Sequence, residues 1–203
     1  MIIYKELTID DVDISMFACF DRTQNITKCW RKIDGEWVIK DIVFVDNWSD
    51  EEYREGVDYL RNLIKSKGYV VGAFFDGKLK GFASVEPVIF GTDAKYMDLS
   101  NIHISQDVRR QGIGKELFAL TKKWAREHGA EKLYISAHSA VESWAFYQSM
   151  GCVEAIEYNK KLTEKEPCDC RLECVLYTVR FLCENPPLKV TEPYKKRWKT
   201  TSL

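Results

Sequence analysis

Val108-Arg109-Arg110-Gln111-Gly112-Ile113-Gly114-Lys115 joins a strand pattern to a helix pattern, and its reading decides the fold. Upstream, Met97-Asp98-Leu99-Ser100-Asn101-Ile102-His103-Ile104 alternates apolar and polar residues as a half-buried strand does. Downstream, Ile113, Leu117, Leu120 and Trp124 recur at helical spacing. The glycines therefore fall at a strand-to-helix joint. Lacking Cβ atoms, Gly112 and Gly114 admit a ligand close to the backbone, and the first N–H groups of a helix have no partner within it. A helix N-terminus carries roughly half a positive charge, to which Arg109, Arg110 and Lys115 add, so the joint suits an anion and a diphosphate in particular.

Spacing narrows the choice of ligand. The dinucleotide fingerprint GxGxxG needs a glycine at 117, where Leu117 stands, and the P-loop GxxxxGK[ST] fails because Lys115 is followed by Glu116. What remains, Arg109-x-x-Gly112-x-Gly114, resembles the Q/R-x-x-G-x-G/A motif of the GNAT superfamily of acyl-CoA-dependent N-acyltransferases. The flanks follow in the same order. Lys132 to Ala137 reads as a strand, and Val141 to Met150 as a helix ended by Gly151. Phe146-Tyr147-Gln148-Ser149-Met150-Gly151-Cys152 is similar to the family's F-Y-x-x-x-G-F phrase. One position departs: the family usually has asparagine seven residues before that tyrosine, and here stands Ala140. The resemblance covers roughly 79–152.

The resemblance implies acetyl-CoA as cofactor. Its pyrophosphate is gripped by the loop Arg109, Arg110, Gln111, Gly112, Ile113, Gly114 and Lys115, and its pantetheine arm pairs with backbone near Ile102, His103 and Ile104, where the family splays two strands apart. An N–H in that gap holds the thioester oxygen. The contact usually made by the missing asparagine passes to Ser139 or Ser143, or is absent. Tyr147 becomes the candidate general acid beside the sulfur, against the alternative of a core aromatic paired with Phe146. For the base, Asp98 and Glu86 both qualify, and either can equally be a solvated strand-edge carboxylate. His103 falls on the opposite face of its strand from Asp98 by simple alternation and reads as structural. The amine attacks directly in a ternary complex in families of this kind, so the seven cysteines need no catalytic role.

The rest of the chain sets the frame. At 203 residues it is long enough to bury about 70% of the surface its unfolded form exposes. We expect one domain over 1–183, with the cofactor core at 79–152, an acceptor-binding N-terminal third, and a tail or arm over 184–203 that is broken by Pro186, Pro187 and Pro193. Thirty basic against thirty-one acidic residues leave no global field for nucleic acid, and no apolar run approaches a membrane span. The basic Lys195 to Lys199 reads as a solvated terminus. Met1 to Glu6 lacks the form of a secretory signal, so the expected location is cytoplasmic, with thiols reduced. Cys168-Asp169-Cys170 with Cys174 lacks the spacing of paired zinc ligands and reads as one face of a strand, so no metal is expected.

Alternation and turn residues give the remaining elements. A strand is expected over Ile2 to Glu6, a helix over Asp10 to Phe20, and a hairpin of Thr27 to Ile33 with Trp37 to Val45 around Asp34-Gly35. Ser49 with Glu52 opens a helix that runs to about Lys67 and stops at Gly68. A second hairpin joins Tyr69 to Phe75 and Lys78 to Glu86 around Asp76-Gly77. After Gly151 come a short strand near Cys152 to Glu157, a charged loop through Pro167 and a last strand from Arg171 to Val179. Strands early and strand–helix alternation late predict an α/β fold. Its mixed, mostly antiparallel sheet has helices on both faces, and the resemblance adds the splayed parallel pair.

For the acceptor, Trp30, Trp37, Phe44, Trp48 and Tyr53 offer aromatic walls, unless they bury the hairpin against the sheet. Asp41, Asp46 and Asp50 offer negative charge, and Asp21 to Gln24 are candidate lining. The expected function is acetyl transfer from acetyl-CoA to a primary amine of a small molecule. A protein lysine or N-terminal acetyltransferase and a silent acyl-CoA sensor are the alternatives. An exposed strand edge or the C-terminal arm would support a homodimer.

Overall fold

Seven strands form one sheet in the order β1-β4-β5-β6-β7-β9-β8. They are β1 (Ile2–Glu6), β4 (Tyr69–Phe75), β5 (Lys78–Val85), β6 (Tyr96–Ile104), β7 (Lys132–Ala137), β8 (Val153–Glu154) and β9 (Cys170–Val175). A separate two-stranded ribbon pairs β2 (Gln24–Ile33) with β3 (Glu36–Asp46). This computed structural model describes residues 1–177, so the expected tail at 184–203 and the end of the last strand at Val179 lie outside the described residues. Every neighbouring pair in the large sheet is antiparallel except β6 with β7.

Both Asp-Gly hairpins form as their sequences dictate. Asp34 and Gly35 have φ of 51° and 84°, and Asp76 and Gly77 have 49° and 73°. Two successive positive φ values make the two-residue turn that matches strand twist.

Helices cover both faces. Helix α2 (Ile113–Glu127) lays Ile113, Leu117, Phe118, Thr121 and Ala125 on one face, with helix α3 (Val141–Ser149) beside it. Leu117, Leu133 and Ala125 are fully buried in this core, and each large apolar side chain so placed contributes roughly 2 kcal/mol. On the other face, α1 (Asp50–Lys65) buries Val57, Leu60 and Leu63. Its N-terminus is the expected capping box, with Ser49 N–H donating to Glu52 Oε2 at 2.6 Å. At its end, Lys67 takes the left-handed conformation (φ 67°), and Gly68 is needed for space instead, since a Cβ there would lie 2.3 Å from Leu63 Cδ1.

Four expectations change. Asp10 to Phe20 is not an α-helix but two 3-10 turns, Ile9–Asp11 and Ile14–Phe17. Asp11 accepts from the Thr8 N–H (2.9 Å) and Asp13 from the Ser15 N–H (2.7 Å), so these side chains cap short turns rather than ride along a helix. Extended Val12 between the turns is fully buried, and Arg61 of α1 donates to the carbonyls of Ile9 and Val12 at 3.0 and 2.7 Å.

The charged loop before Pro167 contains a fourth helix, α4 (Lys160–Lys165), which has no apolar stripe for a sequence to announce. It is held by the Asn159 cap and by Arg171, which donates to the carbonyls of Leu162 and Glu166.

In β9, Cys170, Leu172 and Cys174 share the α2-side core, but Cys168 lies outside the strand and is exposed. The alternation is masked because Arg171 and Glu173 are also buried, Glu173 against Tyr96 (2.5 Å) and Lys132 (2.7 Å).

Two irregularities of β6 position the site. First, pairing with β7 runs only through Tyr96↔Lys132, Met97↔Leu133 and Asp98↔Tyr134, after which β7 pairs with β9 alone and the parallel strands part. Second, the register against β5 shifts at Ser100, from Val85↔Leu99 to Ser84↔Asn101. One extra residue reverses the alternation. Met97 and Leu99 before it, and Ile102 and Ile104 after it, all join the α2-side core. His103 accordingly sits with Trp48 and Phe82 on the α1 side, where Asp98 meets Glu86 and Tyr59. The expectation that His103 and Asp98 occupy opposite faces is thereby overturned.

Candidate active site

Where β6 and β7 part, a cavity of about 1070 Å³ opens between the 105–115 loop, α3 and the start of β2. Ile102, His103, Ile104, Arg109, Arg110, Gly112, Ile113, Gly114, Lys115, Ser143 and Tyr147 all line it. Gln111 is exposed and does not line it. Of the stretch Asp21 to Gln24, Arg22 and Gln24 line it, joined by Asn25.

The cradle is a backbone device. Gly112 caps α2 in the left-handed conformation (φ 85°), and a Cβ built on it would meet nothing within 4 Å. The first intrahelical bond is Glu116 N–H to Gly112 carbonyl at 3.2 Å, which leaves the amides of Ile113, Gly114 and Lys115 without a helical partner. Open space above unpaired amides at a positive dipole end, with Arg110 and exposed Lys115 alongside, fits a diphosphate. Gly114 serves closeness instead: a Cβ there would stand 3.3 Å from the Phe146 ring.

The loop is braced by chain far away in sequence. Gln106 N–H donates to Asp21 carbonyl (2.7 Å), and Asp21 N–H to Ser105 Oγ (3.0 Å). Arg109 donates to the carbonyls of Ile104 (3.1 Å) and Arg22 (2.9 Å), so its side chain ties the loop down rather than reaching for an anion.

Tyr147 is 7% exposed, packs on Phe118 and Phe146, and makes no hydrogen bond to another described residue. Burial, with the Cys152, Asp169 and Asp98 side chains, pushes its phenol well above the ordinary value, so it stays protonated. Ser139 is spent on Arg31, accepting from Nη1 at 2.6 Å, and is 4% exposed. Ala140, where the resemblance implies asparagine, is fully buried against Ile26 and Cys29 and bridges to Cys29.

On the α1 side lie the two carboxylates. Asp98 is 9% exposed and its Oδ1 is buried with no partner. Burial first, and the charge of Glu86 second, raise it to about 7, against the opposing pull of Lys165 and Arg171. Glu86 is half-buried and accepts from the Tyr59 hydroxyl at 2.5 Å. Neither carboxylate lines the 1070 Å³ cavity; they stand across the strand gap from it. Burial and the neighbouring Arg22 hold His103 neutral, down to about 3.

The aromatic residues mostly fasten the ribbon. Trp30 and Trp37 pack on Trp144 of α3 at 5.2 and 5.0 Å, and Trp48 and Tyr53 pack with Phe17. Phe44 faces His138. Asp46 is paired with Arg22 (2.7 Å), Asp41 is exposed beside Lys28, and Asp50 starts α1. Tyr59 is the residue sequence reading missed, because nothing local in α1 ties it to Glu86.

Comparison with known proteins gives three findings. Residues 30–152 match the model of the acetyltransferase (GNAT) family. YuaI of Bacillus subtilis (strain 168), an uncharacterized N-acetyltransferase, is 30% identical over 136 residues, covering 60% of this chain and 78% of that protein. Among solved structures, a putative streptothricin acetyltransferase from Bacillus anthracis str. Ames, in complex with acetyl coenzyme A, superposes with a TM-score of 0.62 at 18% identity, covering 85% of this chain and 96% of its own. Nourseothricin acetyltransferase superposes with a TM-score of 0.57 at 16% identity, covering 85% and 95%. These likenesses carry the fold: a mixed sheet with one parallel pair.

Proposed function

Since the chain belongs to the acetyltransferase (GNAT) family, an acetyl-CoA-dependent acyltransferase family, we propose that it moves the acetyl group onto a primary amine of a small molecule by direct attack. The observation that carries this reading is the pairing of a protonated phenol on one side of the strand gap with an orphaned carboxylate on the other.

Acetyl-CoA, when bound, supplies a thioester and a thiol leaving group. The amides of Ile113, Gly114 and Lys115 hold its diphosphate, with Arg110 and Lys115 adding charge. Backbone of β6 beyond Asp98, left without β7 partners, is available to the peptide-like arm and to the thioester oxygen.

Asp98 Oδ1 takes the proton from the amine. A base is most effective when its affinity for the proton lies near the working pH, and a value of about 7 meets that condition. Tyr147 Oη delivers a proton to the departing sulfur as the C–S bond breaks, its raised affinity ensuring that the phenol enters the reaction protonated. The base in this reading is Asp98 rather than Glu86, because Tyr59 donates to Glu86 Oε1 whereas Asp98 Oδ1 has no partner. No cysteine takes part in this reading, since none among the described residues lines the cavity.

The test is a panel of amines with acetyl-CoA, reading thiol release: a polyamine, an amino-acid amide, an aminoglycoside, and the streptothricin for which a structural neighbour is named. Release with at least one is expected. Calorimetric CoA binding without turnover of any amine would replace the enzyme by a sensor.

A further inference from the structure

The α1 face holds more negative charge than one proton transfer needs. Asp98 and Glu86 are neighbours across β6 and β5, with Glu86 N–H donating to the Asp98 carbonyl at 2.9 Å. The two cations that act on Asp98 do not neutralise the pair. Arg171 is committed to Ser136, Thr163 and the carbonyls of Leu162 and Glu166, and Lys165 sits on α4 with no recorded bond to either carboxylate. Two carboxylates facing one another without a shared cation repel, and Asp98 shows it. Such an arrangement is costly in the free protein and relieved by a cationic ligand.

Tyr59 gives the second carboxylate a fixed pose. Its phenol donates to Glu86 Oε1 at 2.5 Å, while Glu86 Oε2 has no bond to another described residue. Glu86 is therefore oriented but half-used.

We propose that Glu86, oriented by Tyr59, binds a second cationic group of the acceptor, so that the substrate class is molecules carrying two amines, or an amine and a guanidinium, on a short aliphatic spacer. This rests on the reading above in which Asp98 receives the reactive amine. The acceptor's far charge pairs with Glu86 Oε2 and its near amine reaches Asp98. Tyr59 is a positioning residue here, since it acts through Glu86.

The experiment compares α,ω-diamines with the monoamines of the same chain length, in kcat/KM with acetyl-CoA, for the wild type, Glu86→Gln and Tyr59→Phe. The wild type should favour diamines by about tenfold or more, expressed in KM, as for a charge-assisted hydrogen bond. Glu86→Gln should bring the two series to near parity, and Tyr59→Phe should narrow the gap without closing it. Retained CoA affinity by calorimetry verifies that each variant is folded. Equal kcat/KM for the two series in the wild type overturns the proposal alone, as does a diamine preference that survives Glu86→Gln. Absence of turnover with every amine overturns the acetyl-transfer reading itself.

Discussion

The two faces of the sheet do different jobs with different materials. On the α2 side the cradle is made of backbone from one contiguous loop, braced by carbonyls, and its side chains matter mainly for what they leave out. On the α1 side the polar row is made of side chains from α1, from the residue after β5 and from β6, namely Tyr59, Glu86 and Asp98. A backbone site tolerates little change but recognises a constant group, whereas a side-chain site can be rewritten one residue at a time. This contrast accounts for a family in which the donor stays fixed while acceptors differ.

The largest effect should come from breaking the backbone side. Gly112→Asp forces a side chain onto a φ of 85° and sets a negative charge where phosphate approaches. CoA affinity should fall at least about a hundredfold by calorimetry, and unchanged affinity would move the anion site elsewhere.

Next comes Asp98→Asn, which should lower kcat/KM by about 10² to 10⁴. In the wild type kcat/KM should rise with pH through about 7, and the variant should lose that limb. The same substitution should stabilise the fold. Asp98 binds its proton more tightly folded than unfolded, so stability falls as pH rises from about 4 to about 7. Above that window the variant should melt at a higher temperature than the wild type, an advantage absent near pH 4 and on the order of a few kcal/mol at most. No such crossover would mean that the carboxyl is not desolvated.

Tyr147→Phe sharpens the comparison by testing a side chain on the α2 side, where the phenol lines the cavity. Turnover should drop about a hundredfold with CoA affinity within about threefold of wild type. Unchanged turnover removes the phenol from the proton path. The smallest effect should be Lys115→Ala: an exposed charge in a screened setting should weaken CoA binding only severalfold, less at high salt.

Legibility in the sequence follows the same division. The strand–Gly–helix joint, the phrase around Tyr147 and both Asp-Gly turns are local, and residues adjacent in the chain carry them. What stayed hidden depends on contacts across the fold. Asp11 and Asp13 turn an acidic helix start into two capped turns, and α4 is secured by Arg171 rather than by an apolar stripe of its own. Ser139, expected as a contact for the cofactor, is claimed by Arg31 from the ribbon. The pairing of Tyr59 with Glu86 spans 27 positions with no periodicity to mark it. Simple alternation also misplaced His103, because the shift at Ser100 leaves no trace in composition.

That one surplus residue makes β6 two half-strands written in different reading frames. Upstream of Ser100, odd positions face α2; downstream, even positions do. A deletion of Ser100 would merge the two frames into plain alternation, with Met97, Leu99, Ile102 and Ile104 still facing α2 and His103 still on the opposite face. The two halves can therefore carry different faces, with Asp98 on the α1 side while Ile102 and Ile104 line the cavity. A residue inserted between Asn101 and Ile102, by contrast with that deletion, would turn His103 toward the α2 core and Ile102 and Ile104 away from it.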